Sequence, residues 1–102
     1  MLKKSRRLTA SEVRDVIATG APRRAGHLSM RVVDGPAPLR AAAVVSKKVA
    51  KGAVVRNRLR RALYRALKEV RGSGTAVFFI QKIPQDALTP AFLTDLKVLY
   101  KA

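Results

Sequence analysis

Residues 45–71 read VSKKVAKGAVVRNRLRRALYRALKEVR and contain the strongest structural signal in the chain. The segment begins at the end of an apolar strand, passes through a short basic loop with Gly52, and continues as a long helix that begins near Ala53. One side of this helix is apolar at the i, i+3, i+4, i+7 spacing of a helix packed on a core. These apolar positions are Val55, Leu59, Ala62, Leu63, Ala66, Leu67 and Val70. The segment therefore predicts a strand–loop–helix unit.

The opposite side of the predicted helix is strongly basic. It carries Asn57, Arg58, Arg60, Arg61, Arg65 and Lys68, whereas Arg56 lies at the flank of the apolar stripe. A charged helix face is most often simply solvated, but such a face normally mixes both signs. Here Glu69 is the only acidic residue between Pro36 and Gly74. Because arginine also matches the geometry of phosphate better than lysine does, we interpret this face as a nucleic-acid contact.

The composition also indicates a polyanionic partner such as a nucleic acid. The 102 residues carry a formal net charge of +16, which implies a polyanion: RNA, DNA or an anionic membrane. The length suits a single domain over residues 1–102, with residues 1–8 as a basic, flexible lead. No stretch approaches the ~20 apolar residues of a membrane span, and the N-terminus lacks the apolar region of a signal peptide. We therefore expect a cytoplasmic protein.

The remaining elements follow from hydrophobic pattern and turn residues. Thr9 and Glu12 predict a capping box for a first helix that ends near Thr19, and Thr89 is predicted to cap a last helix. The predicted strands are residues 27–34, 40–46 and 75–82, whereas residues 21–26 and 35–38 are predicted as a loop and a turn. The order is helix, strand, strand, helix, strand, helix. We predict an α+β fold, a small sandwich of helices against a mixed sheet.

No residues are spaced for catalysis. The six carboxylates are scattered singly, whereas a two-metal nuclease needs several that converge on its ions. His27 is the only histidine and has no partner at a helpful spacing, and there is no cysteine. We expect no catalytic residues and no metal or cofactor bound by the protein alone.

The central segment resembles the bacterial ribonuclease P protein subunit. In that family a strand that ends in Ser-Lys-Lys leads through a basic loop into a helix that opens with an Arg-Asn-Arg motif. Residues 46–48, 53–54, 56–58 and 60–61 match this pattern position for position. The resemblance implies a left-handed strand–helix–strand crossover, in a fold shared with the second domain of ribosomal protein S5.

The resemblance also implies function. The RNA subunit of ribonuclease P is the catalyst and uses Mg²⁺ to free the 5′ leader from precursor tRNA, while the protein binds that RNA and the leader. The expected partners are therefore the RNA subunit and precursor tRNA, with no membrane and no stable homo-oligomer required. The residues implied for RNA binding are Lys47, Lys48, Lys51, Arg56, Asn57, Arg58, Arg60, Arg61 and Arg65. Those implied for leader binding are Val13, Ile17, Leu28, Met30 and Arg31.

The chain departs from the family pattern at two places. Relatives commonly carry phenylalanines where this chain has Val13 and Ile17, and an aromatic near Arg31. A basic residue usual one turn past the motif is displaced, because Tyr64 holds that position and Arg65 follows it. A structural RNA-binding protein, such as a small ribosomal protein or an assembly factor, is the alternative. A membrane-surface or DNA-packaging protein ranks last, because the apolar stripe of the helix is needed for the sheet.

Overall fold

A four-stranded mixed sheet with helices on both faces forms the molecule, as seen in a computed structural model that describes residues 6–100. The strands lie in the order β1-β2-β4-β3. β4 pairs antiparallel with β2 and parallel with β3. The elements are α1 (Ala10–Thr19), β1 (Ala21–Ala25), β2 (Leu28–Pro38), β3 (Arg40–Val45), α2 (Ala53–Leu67), β4 (Ser73–Ile80) and α3 (Leu88–Leu99). The predicted α+β class is confirmed.

The two faces of the sheet carry clusters of different size. α2 and α3 cover one face, here called the α2/α3 face, where Leu63 and Phe92 join buried strand residues such as Phe78. α1 covers the other face, here called the α1 face, through Val16 packed on Ala42 and Val77. Because successive strand residues point to opposite faces, the apolar runs of β3 and β4 supply both clusters.

α2 begins and lies where the sequence predicted. Gly52 is its N-cap residue, and most of the apolar stripe is buried. Val55 is an exception with 41% of its surface exposed, because the first turn of α2 precedes the part of the helix that contacts the core. Tyr64 is buried, and its hydroxyl accepts a hydrogen bond from the Ala43 backbone N–H at 3.1 Å. Tyr64 stands where the family pattern has a basic residue, and here it joins α2 to β3 through this hydrogen bond.

The prediction that residues 21–26 form a loop is wrong. Residues Ala21–Ala25 are β1, an edge strand that pairs antiparallel with β2. Pro22 and two arginines lower its strand propensity, but an edge strand tolerates proline and charge because one side of its backbone needs no ladder partner. Gly26, with φ of +54°, allows the reversal into β2.

The predicted turn at residues 35–38 is also wrong, because β2 continues to Pro38. The pairing of β2 with β4 is irregular between Val33 and Pro38, so the prolines lie where regular ladder bonds are interrupted. Gly74 lies opposite with φ of +84°, and a Cβ there would approach the Val33 carbonyl oxygen to 2.2 Å. β4 begins at Ser73, two residues before the predicted start.

The N-terminal end of the described chain packs on the fold. The Leu8 N–H donates to the Ala41 carbonyl at 3.1 Å, and Arg6 Nε donates to the Leu39 carbonyl at 3.1 Å. The predicted flexible lead is therefore wrong for residues 6–8, and residues 1–5 lie outside the described part.

Ala87, rather than Thr89, is the N-cap of α3. Within residues 6–100, no helix has both the length and the hydrophobicity to traverse a bilayer.

Candidate nucleic-acid interface

The outer side of α2 borders a groove shared with the start of α3. Three arginines, Arg58, Arg61 and Arg65, line it together with Asn57, and all four are exposed. Residues 87–90 form its other wall, and its volume is about 620 Å³. Within residues 6–100 none of these three arginines forms an ion pair. The groove therefore presents guanidinium groups that have no carboxylate to neutralise them.

The second wall of the groove adds to its positive potential. α3 begins there without a side-chain cap, and its first turn contains no acidic residue. The free N–H groups of a helix start carry a partial positive charge. No residue that lines the groove is acidic. The combined field favours a phosphate-bearing ligand.

A smaller depression beside the groove holds the rest of the motif. Asn57, Arg60, Arg61 and Tyr64 line it. Arg60 is half-buried, and its guanidinium donates to the Asn57 side-chain oxygen. This bond orients the Asn57 amide so that its NH₂ group points away from Arg60 and remains available as a donor.

Arg56, the first arginine of the motif, is turned toward the protein itself. Its Nη1 donates to the carbonyls of Ala50 and Lys51 at 2.9 and 2.7 Å. These bonds close the basic loop onto the start of α2. Lys47, Lys48 and Lys51 are exposed on that loop, beside the helix. The structure thus divides the motif into one arginine that shapes the loop and others that face outward.

The residues predicted for leader binding separate onto two faces of the sheet. Val13 is half-buried and Ile17 is exposed on α1, and Arg31 lies on the α1 face with its Nη1 3.4 Å from the Gly20 carbonyl. Leu28 and Met30 are buried in the α2/α3 cluster, with 0% and 2% exposure. The prediction that these two residues contact the leader is therefore wrong. Strand alternation places them opposite Arg31.

Phe79 is an aromatic residue on the α1 face that the sequence analysis did not assign to a site. It is half-buried with Val13 and Val44 beside the Val16 cluster, and it pairs in register with Ser29 of β2. The signal was present in the alternation of β4, which directs Val77 and Phe79 to one face and Phe78 to the other. The family pattern implies aromatics on α1 and near Arg31, and none on β4.

His27 has a partner that sequence spacing did not reveal. Its Nδ1 lies 2.9 Å from Asp95 Oδ2, and its backbone N–H donates to the same oxygen at 3.0 Å. Asp95 is buried on α3, 68 residues away along the chain. The pair fixes the β1–β2 turn against α3. Glu12 and Arg40 form a second ion pair, which involves α1 and β3.

Comparison with known proteins identifies the family. The family model described as Ribonuclease P matches residues 1–100 of the chain. The chain belongs to the ribonuclease P protein family. It is therefore a component of an endoribonuclease ribonucleoprotein, and its partner in that assembly is an RNA.

Solved structures of ribonuclease P proteins share the fold. A Staphylococcus aureus RNase P protein mutant with defective mRNA degradation activity superposes with a TM-score of 0.78 at 18% identity, over 96% of this chain and 87% of that one. The S. aureus RNase P protein gives a TM-score of 0.73 at 18% identity, over 96% and 94% of the two chains. Another S. aureus structure gives 0.72 at 19% identity, over 99% and 91%. No curated protein matches the chain.

Proposed function

We propose that this chain binds the RNA subunit of ribonuclease P through α2 and the loop before it. The observation that carries the proposal is the groove in which Arg58, Arg61 and Arg65 converge without acidic partners. Arginine forks and the oriented Asn57 amide contact phosphates and sugars, which positions a protein on RNA without reading its sequence. The contact extends along the loop through Lys47, Lys48 and Lys51. The half-buried Arg60 holds the Asn57 side chain in place by a hydrogen bond.

The 5′ leader of precursor tRNA is assigned to the α1 face of the sheet. Val13, Ile17 and Phe79 offer apolar and aromatic surface there, and Arg31 adds a cation. Single-stranded RNA is held by surfaces that combine base stacking with positive charge. Phe79 takes the stacking role for which this chain lacks aromatics on α1, because it packs against the same small cluster as Val13.

Cleavage chemistry is assigned to the RNA and its Mg²⁺. Within residues 6–100, no three histidine, cysteine or carboxylate groups lie together where they would hold a metal ion. The protein contributes cationic surface where two RNA polyanions approach each other, which lowers the concentration of free Mg²⁺ needed. The proposal places this work in the cytoplasm, with precursor tRNA as substrate.

The direct test is cleavage of a leader-bearing precursor tRNA by a bacterial ribonuclease P RNA at low Mg²⁺, with and without the protein. We expect accurate 5′ cleavage to be restored by the protein, and no cleavage by the protein alone. If the protein binds RNA but leaves the cleavage rate unchanged, the role of a structural RNA-binding protein, such as a ribosomal or assembly factor, replaces the proposal.

The α2 surface is tested by Arg61→Ala. We expect weaker binding to the RNA subunit and a slope of log K against log salt that is smaller by about one, because one phosphate contact is lost. Lys97→Ala removes one charge from an exposed site late in α3 and is the matched control. The same affinity and slope in both variants would exclude α2 as the contact surface.

A further inference from the structure

We infer that a second groove, between β1 and the end of β4, binds one nucleotide of single-stranded RNA, and that Gln81 distinguishes its base. The groove has a volume of about 420 Å³ and is lined by Pro22, Arg23, Arg24, Ser29 and Gln81. The inference rests on the proposed function, because the RNA strand in question is the leader. It adds a base-reading site to a surface otherwise described by stacking and charge.

The strand register makes this groove continuous with Phe79. Ser29 of β2 pairs with Arg24 on one side and with Phe79 on the other. Paired residues share a face, so the three side chains form a row across the α1 face. Gln81 lies two residues beyond Phe79 and therefore on the same face. An RNA strand with one base stacked on Phe79 reaches the groove with its next base.

The side chain of Gln81 is held in place before any ligand binds. Its Nε2 donates to Ser29 Oγ at 2.8 Å, and its backbone N–H donates to the His27 carbonyl at 2.8 Å. The bond to Ser29 restrains the amide with its Nε2 toward the serine hydroxyl. Within residues 6–100, neither Oε1 nor the second N–H of Gln81 has a further partner. Gln81 thus presents an oriented acceptor and donor at an exposed position.

The chemistry of the groove matches a nucleotide. Arg24 is exposed on the same face as Ser29, and no acidic residue lines the groove, so a phosphate is attracted to it. An amide distinguishes bases because each base edge has its own order of donors and acceptors, whereas stacking accepts every base. A simple anion would use Arg24 but would leave the Gln81–Ser29 pair without a role.

The test measures base preference at each leader position. Holoenzyme is reconstituted from the protein and a bacterial ribonuclease P RNA, and precursor tRNAs with randomised leaders compete for cleavage. The variant is Gln81→Leu, which keeps the size of the side chain and removes its hydrogen-bonding groups. Gln85→Leu, at another exposed glutamine outside the groove, is the matched control. Binding of the protein alone to four homopolymeric RNA octamers, of A, C, G and U, gives a second readout that needs no RNA subunit.

We expect the wild-type protein to favour one base by about fivefold at a single leader position, the low end for an amide–base contact. Gln81→Leu reduces this preference below about twofold, leaves the other positions unchanged, and also flattens the differences among octamers. An unchanged preference in Gln81→Leu, or no preference in the wild type, overturns the inference. If the wild-type protein fails to stimulate cleavage, the proposed function fails instead, and the octamer measurements decide the groove alone.

Discussion

Arg40 joins parts of the chain that are distant in sequence. Its guanidinium donates to both carboxylate oxygens of Glu12, one of them at 2.9 Å, and to the Arg7 carbonyl at 3.2 Å. Glu12 also accepts the Thr9 N–H as part of the capping box of α1. The bond from Arg40, followed by the bond from Thr9, lowers the pKa of Glu12 from 4.5 to about 2. The ionised carboxylate is therefore what links α1 to β3.

This link predicts a pH dependence of stability. A carboxyl whose pKa is lowered in the folded state stabilises the protein above its ordinary pKa, and this contribution is lost as the pH falls through the folded value. Stability from Glu12 is thus complete above about pH 4.5 and disappears as the pH approaches 2. Glu12→Gln should lower the urea midpoint at pH 7 and should lose less stability than wild type between pH 4.5 and 2.

The measurement is urea unfolding followed by circular dichroism at several pH values. Asp86→Asn, at an exposed carboxylate before α3, is the matched control and should leave the pH profile unchanged. A Glu12→Gln protein whose midpoint follows the wild-type midpoint at every pH would show that the Arg40 contact does not contribute to stability.

At the scale of elements, the sequence predicted those whose patterns reflect burial. The apolar stripe of α2 and the alternation of β4 both come from contact with a core, so they identified these elements and most of their buried residues. β1 was missed because its outer edge is unpaired and its composition of Ala-Pro-Arg-Arg-Ala carries no burial signal. The position of Phe79 on the α1 face was not predicted, because its neighbours there come from different elements.

The exposed α2 positions of the site were predictable, and their contacts were not. A helical period places Arg58, Arg61 and Arg65 on one side, and the structure brings them together in one groove. Nothing in the sequence showed that Arg56 bonds to the Ala50 carbonyl or that α3 completes the groove, because both depend on how the loop and the helices pack.

The β1–β2 turn illustrates how one glycine sets the geometry of an element. Gly26 has φ of +54°, and a Cβ there would lie 1.9 Å from Asp95 Oδ1. Gly26→Ala therefore strains the backbone and displaces the carboxylate that accepts both bonds from His27. We expect a loss of about 2–4 kcal/mol, which combines the cost of the left-handed conformation with weakened buried hydrogen bonds.

Denaturant unfolding measures this effect, and Gly35→Ala serves as the control. Gly35 lies in β2 without a positive φ, and a Cβ there meets nothing closer than the Gly74 Cα at 3.6 Å. Gly35→Ala should therefore change stability much less than Gly26→Ala. Equal losses in the two variants would mean that the Asp95 contact does not constrain the turn.

For the whole molecule, the acidic residues that form ion pairs lie away from the groove on α2. The chain has 22 basic residues and 6 acidic ones. Asp95 and Glu12 pair with His27 and Arg40. The groove on α2 has no acidic lining, so its arginines repel one another in the free protein. An RNA bound at this groove, as proposed, would relieve the repulsion, so that stronger binding would come with lower stability of the free chain.

This trade-off predicts opposite effects of one variant on stability and on binding. The triple variant Arg58→Gln, Arg61→Gln, Arg65→Gln keeps helix propensity nearly constant while removing three charges. At about 20 mM salt we expect thermal unfolding about 4–8 °C higher than wild type, equivalent to about 1 kcal/mol for a domain of this size. At about 0.5 M salt the difference should vanish because the repulsion is screened. Binding to the RNA subunit should weaken at both salt concentrations.

If the arginines form a simple solvated surface, the triple variant should change little in either unfolding temperature or RNA binding. A triple variant that is less stable at low salt would show that these arginines stabilise the fold rather than face the RNA.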